Sequence, residues 1–254
     1  MINKYFRLFL ISALLLSCSE TLDIPISERI DEASLTECKT AACPVVSVAY
    51  IHYEGEPKLA GIINDSISHY IISALNLGDP ESPATASNPT EAIQEFIKNY
   101  WRDTSEFPET NEYEAEIVIT ENFRNEAFIS ISKSQYKYIG GAHGYGSLSF
   151  SNFNIETGKP ITTRQLLNDR KGFTAFAEKK LKEAYQISEN ESINSTGFWF
   201  ENDTFYLPST IGFIKNRVLI HYNIYEVASY AAGPIEVEIS LEEAAPFMKY
   251  KIIN

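Results

Sequence analysis

The period of the hydrophobic positions changes several times along the chain, and each change marks an element. Val45 to Tyr53 is a β-branched and aromatic run, which predicts a strand. Leu59, Ile62, Ile63, Ile67, Tyr70, Ile71 and Leu75 then recur three or four apart, one face of a helix. A stretch of Pro, Ser and Ala at 78–89 stops that helix and reads as a loop. A second helix starts with Thr90 as N-cap, or with Asn88 as N-cap and Pro89 at the first helical position. Its stripe of Ala92, Ile93, Phe96, Ile97 and Tyr100 ends near Trp101.

Alternation follows. Tyr113, Ala115, Ile117 and Ile119 share one face of a strand, and Phe128 to Ile139 reads as its return, with Asn122 to Asn125 as the turn. Ser147 to Ile155 alternates strictly, a strand with one buried face closed by a turn at Thr157 to Lys159. The second half repeats the helix-then-sheet order. A short helix is expected over Ile161 to Leu167 and a longer one from Phe173 to Tyr185. Phe198 to Phe200 and Phe205 to Leu207 flank Glu201 to Thr204 as a hairpin. Phe213-Ile214, Arg217 to Tyr222 and Ile235 to Ile239 read as strands, and Leu241 to Met248 as a closing helix. Helices alternating with antiparallel strands predict an α+β fold, with mixed, mainly antiparallel sheets and packed helices.

The first residues stand outside this pattern. Lys4 and Arg7 precede Leu8 to Leu16, an apolar run broken by Ser12. That run is roughly half of what a spanning helix needs. With Leu15-Leu16-Ser17-Cys18 behind it, the segment resembles a bacterial lipoprotein leader and its lipobox. The resemblance implies removal of residues 1–17, lipidation of Cys18, and a polar tether over 18–43. The protein is then expected in the cell envelope, and Ser19 is compatible with outer-membrane sorting. Cys38 and Cys43 remain, and an oxidising compartment lets them form a disulfide. Free thiols are the alternative. A metal site there would need two more ligands, and no His lies close by.

Acidic side chains outnumber basic ones by 34 to 21, a net charge of −13. Such a surface repels nucleic acid, whose phosphates call for Lys and Arg. It either confers solubility alone or steers a basic partner inward. No Gly-x-Ser-x-Gly elbow is present. His52, His69, His143 and His221 lie far apart, with no metal-ligand spacing between them. No cofactor is called for. His69 and His221 read as structural histidines, the first partly buried on its helix, the second hydrogen-bonded in its strand.

Two stretches are unusual. Gly140-Gly141-Ala142-His143-Gly144-Tyr145-Gly146 packs four glycines into seven residues, which permits positive φ and close backbone approach. It lacks the ending of a phosphate loop and leads into a strand, not a helix. It reads either as a glycine-built crossover with His143 hydrogen-bonded inside it, or as the seat of a catalytic His143. Tyr225-Glu226-Val227-Ala228-Ser229-Tyr230-Ala231-Ala232-Gly233-Pro234 runs from aromatic to small residues before a strand. It reads as a tight connection, or as a surface presenting Tyr225 and Tyr230.

Tyr138 to Gly144 resembles the Tyr-Thr-Gly-Gly-Ala-His-Gly signature of PdaC-like domains, with Ile139 where Thr is usual. Tyr225 to Ile239, with Gly233 and Pro234 inside it, resembles the signature of the RsiV C-terminal domain. The resemblance spans about residues 44–250. It implies an α+β fold of two intimately packed subdomains, here 44–158 and 159–250. RsiV-type domains are extracytoplasmic sensors that bind lysozyme. Anti-sigma activity is not expected without their sigma-binding segment and spanning helix. PdaC-type deacetylases act through a separate metal-dependent domain, whose Asp-Asp pair and His-x-x-x-His motif are missing here. The expectation is therefore a lipid-anchored binding or sensing domain without catalysis. Its partner would be a basic protein such as lysozyme, or a cell-wall glycan. The alternative is a hydrolase or deacetylase-related enzyme acting on peptidoglycan, in which His143 would meet a carboxylate. A structural subunit of a surface complex is the third.

Overall fold

The computed structural model describes residues 23, 25–31, 44–78, 83–107 and 112–253, so Cys18, Cys38, Cys43 and the leader lie outside the described residues. The larger sheet has the order β1 (Ile26–Asp31), β2 (Val45–His52), β3 (Glu114–Arg124), β4 (Phe128–Tyr138), β5 (Tyr145–Asn154) and β6 (Pro160–Ile161). β2 and β3 are parallel, and the other neighbours are antiparallel. A parallel pair needs a long crossover. Helices α1 (Pro57–Leu75) and α2 (Pro89–Glu106) provide it.

Both helices begin at a capped proline. Glu56 accepts from the Leu59 amide at 2.7 Å ahead of Pro57. The Asn88 side chain accepts from Glu91 N at 2.9 Å ahead of Pro89. Asn88, not Thr90, is thus the cap of α2. The apolar stripes of the two helices cover one face of the sheet, where Ile63, Ile67, Ile71, Ile93 and Phe96 meet Ile117, Ile129 and Ile131.

The second sheet is an antiparallel array of β7 (Ile211–Ile214), β8 (Arg217–Tyr222) and β9 (Ile235–Ser240). The short helix α3 (Thr163–Leu166) opens this half with a Thr162/Gln165 capping box. Helix α4 (Arg170–Ala184) buries Phe173, Ala177 and Leu181 against Ile220, Tyr222 and Ile239 in a second core, and α5 (Leu241–Ala244) closes it. The fold is α+β, as the alternation of element types predicts.

The small sheet stands edge-on upon the large one. The outer edge of β7 would leave its peptide groups unpaired, and side chains from β4 and β5 pair with them instead. Ser130 Oγ accepts from Phe213 N at 3.1 Å, and Asn152 Nδ2 donates to Ile211 O at 2.9 Å. The outer edge of β5 is capped in return. Leu148 N donates to Asn223 Oδ1 at 2.7 Å and Phe150 N to Thr210 Oγ1 at 3.2 Å.

Four local expectations differ from the structure. Residues 26–31, read as tether, form β1, because Ile26 to Asp31 pairs along the free edge of β2. Helix α2 runs past Trp101 to Glu106, where Thr104 and Ser105 return their hydroxyls to the carbonyls of Tyr100 and Trp101. The β3–β4 turn falls at Asn125 to Ala127, after a register shift between Glu121 and Phe123 lengthens β3. Phe198 to Leu207 is not a hairpin. Asn194 clamps Phe200 through both backbone groups, at 2.8 and 2.9 Å, and the rings of Phe198, Phe200 and Phe205 sink into the second core.

Candidate functional site

The angle between the two sheets opens into a cleft of about 520 Å³. The face of β4 and β5 supplies one wall, with Ser134, Tyr136, Gly146 and Leu148. The other wall consists of His221 and Asn223 from the end of β8, and Tyr230, Gly233 and Pro234 from the connection to β9. Both unusual stretches therefore meet at one place, although 86 residues separate Gly144 from Tyr230.

Local backbone explains the glycines. Gly140 and Gly141 have φ of 97° and 94°, which turns the chain from β4 into β5. The Tyr138 hydroxyl donates to Gly141 O at 3.1 Å and braces that turn. At Gly144 a Cβ would come within 2.4 Å of the Tyr136 hydroxyl oxygen, so the missing side chain is what seats the Tyr136 ring. Tyr225 and Gly233 also take positive φ, 67° and 69°, and bracket the turn that presents Tyr230.

The His143 and Tyr230 rings stack, with centroids 3.9 Å apart and planes 22° apart. Tyr230 also reaches Gly144 O with its hydroxyl at 3.4 Å, and Tyr225 lies 5.7 Å from Tyr230 ring to ring. His143 is exposed, not enclosed by its loop, and its Nδ1 lies 3.3 Å from Gly144 O. Tyr136 and Tyr230, which line the cleft, and Tyr225, packed against Tyr230, are each more than a third exposed, from 38% to 53%. These aromatics form an edge that water does not favour.

Electrostatically the cleft is neutral. Among its described lining residues there is no Asp, Glu, Lys or Arg. The contrast with a chain of net charge −13 is sharp. His143 meets no carboxylate among the described residues; its contacts are the Gly144 carbonyl and the Tyr230 ring. No group of three or more His, Cys, Asp or Glu gathers among the described residues. His69 is exposed on α1, its Nδ1 3.0 Å from Asp65 O, and does not take part.

Sequence reasoning missed one side of the site. His221 is hydrogen-bonded as expected, with Nδ1 2.8 Å from Glu236 Oε1 and Nε2 3.2 Å from Asn223 Oδ1. Its place in the cleft wall, beside Asn223 and opposite Leu148, follows only from the packing of the two sheets. The alternation of Glu236 in β9 against His221 in β8 was a signal for the first contact. No signal marked Asn223.

Comparison with known proteins agrees with this architecture. Residues 38–145 match the family described as deacetylase PdaC, and residues 163–242 match DUF3298, described as a protein of unknown function. Tyr138 to Gly144 falls in the first match and Tyr225 to Ile239 in the second. A DUF3298 family protein from Bacteroides fragilis superposes with a TM-score of 0.59 at 17% identity, over 91% of this chain and 94% of that one. Another from Pseudomonas aeruginosa PAO1 gives 0.60 at 16% identity, over 91% and 95%. At these identities the likeness shows the fold. None of the curated proteins compared matches the chain.

Proposed function

We propose, for a chain that joins a PdaC-like domain to a DUF3298 domain, that it is a lipid-anchored, non-catalytic binding domain of the cell envelope. Its ligand is a cell-wall glycan held in the cleft between the sheets. One observation carries this reading: a cleft without charged lining, rimmed by the stacked His143 and Tyr230, in a strongly acidic protein. Sugar rings offer flat CH faces to aromatic side chains and hydroxyls to fixed amide and peptide groups. A charged ligand would call for charged groups in the lining.

Cys18 supplies the anchor, and residues before β1 the tether. A hydrolase or deacetylase would need His143 within reach of a carboxylate, and its described contacts offer none. A basic protein such as lysozyme is the second reading, favoured by the net charge of −13. It would dock on the acidic outer surface and not in the neutral cleft.

Cosedimentation with purified peptidoglycan tests the first reading. Wild type should pellet with it at high and low salt, and Tyr230→Ala should stay in solution. Binding to lysozyme that fades with salt, with no binding to peptidoglycan, would favour the second.

A further inference from the structure

We infer that Asn223 is the residue that reads the ligand, through a carboxamide NH2 held toward the cleft, and that His221 is its positioning residue. This rests on the cleft being the binding site. The argument begins with the Asn223 oxygen. Leu148 N–H on the edge of β5 donates to Asn223 Oδ1 at 2.7 Å. A peptide N–H has one role, so it fixes which end of the carboxamide is the oxygen. The same oxygen lies 3.2 Å from His221 Nε2, which must therefore carry a proton.

The other ring nitrogen of His221 lies 2.8 Å from Glu236 Oε1. The His221 side chain is 6% exposed and that of Glu236 is 47% exposed. His221 is thus clamped between Glu236 of β9 and Asn223 through both of its ring nitrogens. Glu226 adds a second carboxylate nearby, accepting from the Asn223 amide at 2.9 Å.

Two donors, Leu148 N–H and His221 Nε2–H, therefore meet Asn223 Oδ1, Glu226 accepts from its backbone N–H, and none of these contacts among the described residues engages Nδ2. The NH2 is left as the polar group that Asn223 offers the cleft it lines. It is a rigid donor, and it demands an acceptor: a hydroxyl or carbonyl oxygen on an uncharged ligand. The sugar of the proposed function meets that demand.

Two measurements test this. The first uses the free protein and needs no ligand: 15N NMR of the imidazole nitrogens at neutral pH. The His221 signals are assigned by substituting His52, His69 and His143 one at a time. His221 Nε2 should be protonated; a ring that carries its proton on Nδ1 alone would overturn the clamp. The second is calorimetric titration with the uncharged tetramer of N-acetylglucosamine, a stand-in for the glycan strand. Asn223→Asp keeps the two acceptor contacts but replaces the NH2 donor by an acceptor oxygen and adds a negative charge. It should bind about tenfold or more weakly than wild type. Equal binding by Asn223→Asp would overturn the role of Asn223 and leave the cleft reading standing. Failure of wild type to bind overturns the cleft reading and the ligand role together, and the clamp is then judged by NMR alone.

Discussion

His143 and Tyr230, from the two halves of the chain, lie ring on ring with centroids 3.9 Å apart. The contact joins the loop after β4 to the turn before β9, and it stands at the rim of the cleft. Such a stacked pair contributes about 0.5–1.5 kcal/mol beyond its burial. Tyr230→Ala should lower stability by an amount in that range, measured by urea unfolding, and should abolish ligand uptake. Tyr230→Phe keeps the ring and loses the long hydrogen bond to Gly144 O, so it should retain most of both.

Two glycines give opposite outcomes for the same substitution. A Cβ on Gly212 would lie 2.3 Å from the Phe150 ring, which is 3% exposed and enclosed by both sheets. Gly212→Ala should destabilise the fold by about 1–3 kcal/mol. A Cβ on Gly144 meets the far end of Tyr136, whose ring is 38% exposed and free to swing outward. Gly144→Ala should leave the melting temperature nearly unchanged and weaken ligand binding, because Tyr136 leaves the cleft wall.

Asn152 is buried, and its amide is the partner that β5 gives to the Ile211 carbonyl on the edge of β7. Asn152→Ala leaves that carbonyl unpaired inside the protein. The expected cost is about 1–3 kcal/mol, read from chemical unfolding. The loss should appear first as hydrogen exchange in β7 and only later in β2 and β3, whose ladders do not depend on it.

Acid should loosen two helix starts. The Ser87 hydroxyl and amide hold Glu91 below its ordinary value of 4.5 at the start of α2. Lys180, with help from the Ser240 amide, does the same to Glu243 in α5. Each folded value lies below the unfolded one, so the stabilisation is complete above the ordinary carboxylate value. It is lost as pH falls through the lowered one. Thermal unfolding followed across that acidic window should show a shallower fall for Glu91→Gln with Glu243→Gln than for wild type.

Much of this was legible in the sequence, and the reason is periodicity. The stripes of α1 and α2, the alternation of β3 and β9, and the glycines at 140 and 141 depend on local spacing or local φ, whereas β5, read as a strand with one buried face, buries Phe150 and Phe153 on opposite faces because the second sheet covers its other side. The misreadings share a cause, which is pairing with distant chain. Ile26 to Asp31 becomes a strand because β2 has a free edge, and Phe198 to Leu207 is irregular because Asn194 takes the place of a strand partner. The site divides in the same way. His143 and Tyr230 stood out through composition, whereas Asn223 acquires its role from the Leu148 amide and the His221 ring, neither of which marks it in the sequence.

Chemical-shift mapping during titration with soluble peptidoglycan fragments tests the central claim most directly. Amides of Gly144, Gly146, Leu148, Asn223 and Tyr230 should shift together and saturate with one affinity. Shifts confined to other surfaces, or none at concentrations where the fragments are in large excess, would contradict it.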